Sequence, residues 1–191
     1  MNSKNTYVKI KWHIVLLCLS VCGVCSIAWG DVDAKDGRSF KGEQYVYDLP
    51  QVANGVVLTS NLWVWEDASA NAKFMEAQRA YQQGLFSTLQ REFASYGFTS
   101  SAYWFRIAIY NAQEISRDLI LSVPKPLLDR VDVYCQMNQG RTYYYPLGEQ
   151  TGFDRRRLKV RHYAVPLTLL AESGAECFFR VVTTSNLAMS V

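Results

Sequence analysis

Apolar and polar residues alternate with the period of a β-strand over most of the chain after residue 100. In the segment 103–110, Phe105, Ile107 and Ile109 lie on one face, and Trp104 and Arg106 lie on the other. Similar apolar rows predict further strands at 119–123, 131–135, 142–146, 162–169 and 176–182. Short strands at intervals of about 10 to 15 residues, with little helix between them, predict an antiparallel β-sandwich or jelly roll.

Upstream of residue 100 the pattern changes. Two apolar segments, 45–49 and 56–65, predict strands joined through a turn at Asn54-Gly55. From 67 to 96 the large apolar residues recur at spacings near four and seven, which predicts a core-facing helical stripe of Phe74, Tyr81, Leu85, Leu89 and Phe93. Gly84 is expected to break this helix, and Ser87 followed by Gln90 resembles the capping box of a second short helix.

The first 30 residues carry the pattern of an export signal. Three lysines precede an apolar stretch at 14–28, and the small residues Ala28 and Gly30 place cleavage near Asp31. The alternative is an uncleaved membrane anchor, but the apolar stretch is about 15 residues long and a span needs about 20. Residues 31–44 are predicted to be a polar linker, and residues 45–191 to form one folded domain in the periplasm.

Charge and composition exclude several classes of function. The chain has 191 residues and a formal net charge of +3, but residues 1–30 contain three lysines and no acidic residue, so the remainder is neutral. A neutral domain lacks the positive field that attracts a phosphate backbone, so we expect no nucleic-acid partner. After the signal only His162 remains of the histidines, and the sequence carries no motif for a nucleophilic triad, a metal cluster or a bound nucleotide. The sequence therefore predicts a non-catalytic domain with no cofactor and no metal.

Three of the five cysteines lie in the predicted signal, which leaves Cys135 and Cys177 in the exported chain. An oxidising compartment permits a disulfide between them, and a closed loop of about 42 residues would stabilise the fold by a few kcal/mol. The alternative is two buried free thiols, because spacing in the sequence does not give the distance between two Cα atoms. Both cysteines lie on apolar rows, so they are predicted to face the same core.

Polar and aromatic side chains that alternate with the apolar rows are candidate ligand contacts. Arg130, Asp132 and Tyr134 share one face of a strand, and Trp104 and Arg106 project in the same way from another. If these strands are neighbours, the five side chains form a platform on which a sugar ring stacks while the charged groups bind hydroxyls or a carboxylate. The alternative is a solvated sheet face with cross-strand ion pairs, such as Arg106 with Asp132.

A second candidate is the basic segment 155–162, in which Arg161 and His162 come just before the inward row of a predicted strand. A basic loop can clamp an anionic ligand or lie against anionic lipid headgroups. The alternatives are a solvated loop, or a role for Arg161 and His162 in bracing the fold through hydrogen bonds to backbone carbonyls.

Several ordered blocks of sequence resemble one type of bacterial sensor domain. The blocks lie at residues 65–67, 96–98, 103–106, 126–134, 161–163 and 166–167. Their order across roughly 45–191 is similar to the second type of extracellular domain of the seven-transmembrane receptors with diverse intracellular signalling modules (7TMR-DISM). Two segments differ from the family pattern. The helical stretch between Trp65 and Tyr103 is longer, and the run Arg155-Arg156-Arg157 is more strongly basic.

The resemblance implies a jelly-roll-like β-sandwich, similar to carbohydrate-binding modules, with a short helical insert. It further implies display in the periplasm ahead of seven membrane helices and a cytoplasmic signalling output, with the last strand and first membrane helix following Val191. The expected function is a sensor of a carbohydrate or small carboxylate, with a homodimer as a further expectation. The alternatives are a standalone secreted carbohydrate-binding or adaptor domain, and a structural dimerisation module that binds no small molecule.

Overall fold

The computed structural model describes residues 46–48, 58–89, 94–125, 127–138, 140–189 and 191. In this part the chain forms one helix and eleven strands, which are β1 (Val46–Asp48), β2 (Trp63–Asp67), α1 (Phe74–Gln82), β3 (Ser87–Thr88), β4 (Ala94–Gly97), β5 (Ala102–Asn111), β6 (Arg117–Val123), β7 (Arg130–Met137), β8 (Thr142–Leu147), β9 (Tyr163–Leu169), β10 (Ser173–Val182) and β11 (Leu187–Met189). Short 3-10 turns lie at Thr59–Asn61 and Phe153–Arg155. Across the described residues, the helices lack the length and apolar character that crossing a bilayer requires.

The strands form one large sheet and two small ones. The large sheet has the order β3-β2-β5-β10-β7-β8, and β1 adds to it by pairing in parallel with β5. The other pairs, β4 with β11 and β6 with β9, are antiparallel and two-stranded. Every described pairing except that of β1 is antiparallel, and among the described neighbours only β7 and β8 follow each other directly in the chain as a hairpin.

The three sheets share one hydrophobic core. Alternate side chains of the large sheet point into it, and the inward rows of the small sheets pack against them. The inward rows include Phe105, Ile107 and Ile109 of β5, Val131 and Val133 of β7, Phe179 and Val181 of β10, and Val165, Leu167 and Leu169 of β9. The predicted antiparallel β-sandwich is confirmed, while its jelly-roll connectivity stays a prediction.

Two buried cysteines join the adjacent strands β7 and β10 of the large sheet. Cys135 of β7 and Cys177 of β10 lie directly opposite each other in the antiparallel register. Their sulfur atoms are 2.02 Å apart, and both residues lie in the core. Of the two alternatives that the sequence allowed, the structure has the disulfide.

The helix α1 covers the outer face of the large sheet. Its start is fixed by Asp67, whose carboxylate accepts hydrogen bonds from the backbone N–H groups of Ser69 and Ala72, and by Glu76, which accepts one from the backbone N–H of Lys73. It ends just before Gly84, which takes a φ of +74° that favours glycine. The predicted helix break at Gly84 is therefore confirmed.

The outer face forms a second, aromatic core beneath α1. The buried members of this core come from the helix, the following loop and the two central strands: Ala77, Ala80, Phe86, Trp104 and Phe178. Alanines on the inner side of α1 let the helix approach the sheet closely enough to bury these rings.

The predicted second helix at Ser87 is wrong, because Ser87–Thr88 forms the edge strand β3 against β2. The apolar stripe is also divided among different environments, since Leu85 is exposed and Leu89 enters the main core. Its described members come from the helix α1 and from the loop segments on either side of β3, so the helical spacing continues by coincidence beyond the helix, which explains the error. Phe93 and Gln90 lie outside the described residues.

Strand boundaries shift mainly near the start of the domain. The strand predicted at 56–65 begins only at Trp63, because a 3-10 turn occupies Thr59–Asn61, and the turn predicted at Asn54-Gly55 lies outside the described residues. Besides β3, two further strands, β4 and β11, were not predicted, since four and three residues are too few to show a period of two.

Candidate functional site

The half of the predicted platform that β5 contributes is buried. Trp104 is 0% exposed and Arg106 is 1% exposed, both beneath α1. The Arg106 guanidinium forms an ion pair with Glu176, with Nε 2.5 Å from Oε1, and lies 3.7 Å from the ring centre of Tyr81. These two side chains therefore hold the helix on the sheet, and the expectation that they lie open to solvent is wrong. The sequence pattern predicted a helix without showing which sheet face it covers.

The strands that carry the platform residues are not neighbours. Strand β10 lies between β5 and β7, so Arg180 stands between Trp104 and Asp132 in the sheet register. The alternative interpretation offered an ion pair between Arg106 and Asp132. In the structure Arg106 instead pairs with Glu176, and Asp132 pairs with Arg130. Strand order depends on long-range pairing, which local alternation does not encode.

Asp132 is the centre of a polar cluster on the outer face. Its Oδ2 accepts a hydrogen bond from Arg130 Nε at 2.7 Å and lies 3.7 Å from Arg180 Nη1, while its Oδ1 accepts one from the Tyr144 hydroxyl at 2.6 Å. Asp132 is 2% exposed, whereas the Arg130 side chain is 54% exposed. We call Arg130, Asp132, Tyr144 and Arg180 the Asp132 cluster. It offers an accessible guanidinium held in place by a buried carboxylate.

Aromatic rings continue from this cluster towards α1. Tyr134 and Tyr144 are directly opposed in the β7–β8 register and stack with ring centres 4.9 Å apart. Tyr134 also stacks on Phe74, the first residue of α1, with ring centres 4.7 Å apart. Tyr144 is half-exposed and Tyr134 is less so, so one ring of this series is open to a ligand.

The environment of the cluster raises the pKa values of its donors. Burial, followed by the hydrogen bond to Asp132, raises the pKa of Tyr144 from 10.0 to about 12. The hydrogen bond from Arg130 to Asp132 raises the pKa of the guanidinium, and burial raises the pKa of Tyr134. At neutral pH, Arg130 and both tyrosines therefore keep their protons and act as hydrogen-bond donors.

Stability at alkaline pH reports the raised pKa of Tyr144, which burial and the hydrogen bond to Asp132 produce together. The folded protein keeps the Tyr144 proton at a pH where the unfolded chain, with a pKa of 10.0, has lost it. The contribution is present below pH 10.0 and is lost as the pH rises through about 12. We expect urea midpoints to fall less between about pH 8 and about pH 11 in Tyr144→Phe than in the unaltered protein. Equal falls would contradict this; Tyr96, whose pKa is also raised to about 12, contributes equally to both proteins.

Arg161 and His162 lie apart from this cluster. Both are exposed and belong to the loop before β9, a strand of a small sheet. No hydrogen bond, ion pair or ring contact within the described residues joins them to the other five predicted ligand residues. The described residues also contain no group of His, Cys, Asp and Glu that could hold a metal ion.

Two members of the cluster were missed by sequence reasoning. Tyr144 lies opposite Tyr134 in the β7–β8 hairpin, and Arg180 alternates outward from the inward row of β10. The signal for Arg180 was its position between the inward-facing Phe179 and Val181, because successive side chains of a strand point to opposite faces. The partner of Tyr144 required the hairpin register, which depends on the turn at 138–141.

Comparison with known proteins agrees with the fold. No curated protein matches the chain. The model of one family, described as 7TMR-DISM extracellular 2, matches residues 59–191, which include the whole described sandwich from β2 to β11, the helix α1 and the Asp132 cluster. Since this match covers well over half of the sequence, the chain belongs to the 7TMR-DISM extracellular 2 family.

Proposed function

We propose that this domain is a non-catalytic sensor on the periplasmic side of a bacterial transmembrane receptor. Its family consists of extracellular domains of 7TMR-DISM receptors, which supports a sensor role outside the cytoplasm. The first 30 residues direct export, and a seven-helix membrane bundle with a cytoplasmic output receives the signal. Its ligand is a carboxylate-bearing sugar or another small carboxylate, bound at the Asp132 cluster.

The charge of the Asp132 cluster carries this proposal. Two guanidinium groups, Arg130 and Arg180, share the single carboxylate of Asp132, so within the described residues the cluster has one more positive than negative charge. Glu176, the acidic residue of the neighbouring strand β10, is engaged by Arg106. A guanidinium that presents exposed N–H groups binds a carboxylate through paired, charge-assisted hydrogen bonds.

The half-exposed ring of Tyr144 adds a surface for a sugar. Tyr144 is fixed by its hydroxyl bond to Asp132 and by stacking on Tyr134. A fixed aromatic ring beside an exposed guanidinium accommodates the apolar face of a pyranose while the charged group binds its carboxylate. This arrangement favours an acidic sugar over a neutral one.

Arg180 connects the cluster with the segment before α1. Its Nη2 donates a hydrogen bond of 2.5 Å to the backbone oxygen of Ala70, and Tyr134 stacks on Phe74 at the start of the helix. A ligand that draws Arg180 towards its carboxylate competes with the bond to Ala70. Ligand binding is thereby coupled to the position of α1, which provides a route for the signal.

A stability screen tests the proposal. We expect galacturonate, an acidic sugar, to raise the melting temperature saturably, because a ligand that binds only the native state stabilises it by about 2.7 kcal/mol at a hundred times its Kd. Neutral galactose at the same concentration should give a much smaller rise, and succinate tests a carboxylate without a ring. Melting temperatures are measured by calorimetry on the exported protein.

A charge-removing variant locates the effect. Arg130→Gln keeps a hydrogen-bond donor beside Asp132 but removes the charge, and we expect it to lose at least tenfold in affinity for galacturonate. Arg141→Gln removes an exposed guanidinium at the start of β8 and should bind as the unaltered protein does. Equal affinities of the two variants would overturn the assignment to this cluster, and the absence of stabilisation by galacturonate and succinate alike would overturn the ligand class.

A further inference from the structure

A long loop on the far side of the sandwich has no role in the proposed ligand site. Residues 148–162 connect β8 with β9 and contain a single 3-10 turn. Connections of this length inside compact domains are uncommon and usually functional. Its start is fixed at Gly148, where a Cβ atom would lie 2.5 Å from the backbone oxygen of Asp129.

Arg156 fixes the shape of the loop from within. Its guanidinium donates hydrogen bonds to the backbone oxygens of Gly148 and Val160, at 3.3 and 3.4 Å, and so ties the two ends together. The same group lies 5.4 Å from the ring centre of Phe153 and 5.0 Å from that of Tyr163. Arg156 therefore has a structural role inside the loop, and the neighbouring Arg157 lies 5.7 Å from the ring centre of Tyr145 in β8.

The remaining cations of the loop are exposed and uncompensated. They are Arg155, Arg157, Lys159 and Arg161, and the exposed His162, which the formal charge count treats as neutral, follows them. No ion pair within the described part of the chain involves any of them, and Asp154 is the one acidic residue in the segment 153–162. Because the exported chain as a whole is neutral, this loop concentrates positive charge on one side of the molecule.

Apolar side chains are exposed among these charges. Phe153 is 51% exposed, and Ile120, on the outward face of β6, is 59% exposed. Ile120 lies in an open groove of about 800 Å³ between the β6–β9 sheet and the loop, to which Leu158 and Pro166 also contribute. Cations interspersed with exposed aromatic and aliphatic groups are typical of surfaces that contact the interface of a bilayer.

The arrangement favours a surface over a small soluble anion. The cations are distributed along residues 155–161, and the groove is lined by the carboxylate of Asp118 as well as by Arg157, so it carries no excess of positive charge that would select a small anion. An extended layer of phosphate groups satisfies cations that are spread in this way.

We propose that the loop 153–162 docks on an anionic lipid surface, with its cations at the headgroup phosphates and Phe153 at the interface. This surface is separate from the Asp132 cluster, so the domain can bind its ligand while it rests on the membrane. Docking fixes the distance and orientation of the domain relative to the bilayer.

Vesicle sedimentation tests the proposal on the exported protein. We expect it to sediment with vesicles of phosphatidylglycerol and phosphatidylcholine, to remain in the supernatant with phosphatidylcholine alone, and to be released as salt shortens the Debye length. Equal binding to both kinds of vesicle would overturn the proposal, since it would indicate apolar insertion without charge recognition.

Matched triple variants assign the binding to the loop. Arg155→Gln, Lys159→Gln and Arg161→Gln together should weaken vesicle binding about a hundredfold, at about fivefold for each cation. The control variant, with Lys73→Gln, Arg79→Gln and Arg141→Gln, has the same net charge as the loop variant. Its vesicle binding should be weakened by a factor less than a quarter of that expected for the loop variant. Equal weakening by the two triples would overturn the proposal, and so would saturable binding of inorganic phosphate that competes with the vesicles. Galacturonate-dependent stabilisation, measured on the loop variant, reports separately on the ligand site.

Discussion

Replacing Trp104 with alanine is expected to lower the free energy of unfolding by about 3–5 kcal/mol. The indole is fully buried in the aromatic core beneath α1, where it packs with Phe86 and Phe178. Its Nε1 has no hydrogen-bond acceptor within the described residues, so the loss comes from packing and from the cavity that remains. The same loss should loosen α1, since the fully buried side chains of the helix are the small Ala77 and Ala80, and its rings Phe74 and Tyr81 are only partly buried.

Urea unfolding of Trp104→Ala at neutral pH measures this loss, with hydrogen exchange of the α1 amides as a second readout. Trp65→Ala is the matched control, because Trp65 lies on the same face but is only partly buried, and it should lose clearly less. A loss below about 1 kcal/mol for Trp104→Ala, the value typical of a surface side chain, would show that the ring is not enclosed beneath the helix.

Removing the disulfide with Cys135→Ala and Cys177→Ala together is expected to cost about 4 kcal/mol. The bond closes a loop with a sequence separation of 42 residues. A cross-link of this length restricts the unfolded chain by about 4 kcal/mol in the chain-entropy model. Because both side chains are completely buried, the small cavities left by two sulfur atoms add to the loss.

Unfolding midpoints of the double variant and of the unaltered protein, with and without a reductant, measure this effect. Under reducing conditions the unaltered protein should approach the double variant, because reduction removes the same constraint. Two titratable thiols in the denatured, unreduced protein, or equal stabilities of the two proteins, would contradict the presence of the bond.

The long strands were predictable from the sequence because their inward rows are continuous. Phe105, Ile107 and Ile109 gave the period and the inner face of β5 correctly, and β7 and β10 followed in the same way. The strand β3 was missed because it consists of two polar residues, Ser87 and Thr88, which show no apolar alternation. They are in a strand only because they pair with the edge of β2, which is a tertiary effect. Alternation thus predicts a strand where one face is buried over several residues.

The candidate site was only partly predictable, for a reason that lies in the sheet order. Arg130, Asp132 and Tyr134 share a face as the alternation of β7 requires, but their partners come from β8 and β10. The burial of Trp104 depends on a helix that docks on the outer face, so both faces of β5 are buried. The alternation of Trp104 and Arg106 therefore indicated that both lie on the outer face of β5, without showing whether solvent reaches that face.

The location of the ligand is tested most directly by nuclear magnetic resonance during a titration with galacturonate. We predict saturable shifts of the Arg130 and Arg180 side-chain Nε–H signals and of amides in β7 and β8 near the Asp132 cluster, together with α1 amides near Phe74. The loop 153–162 should be unaffected. Shifts centred on that loop, or stabilisation by galacturonate without any change at Arg130, would contradict a sensor site at the Asp132 cluster.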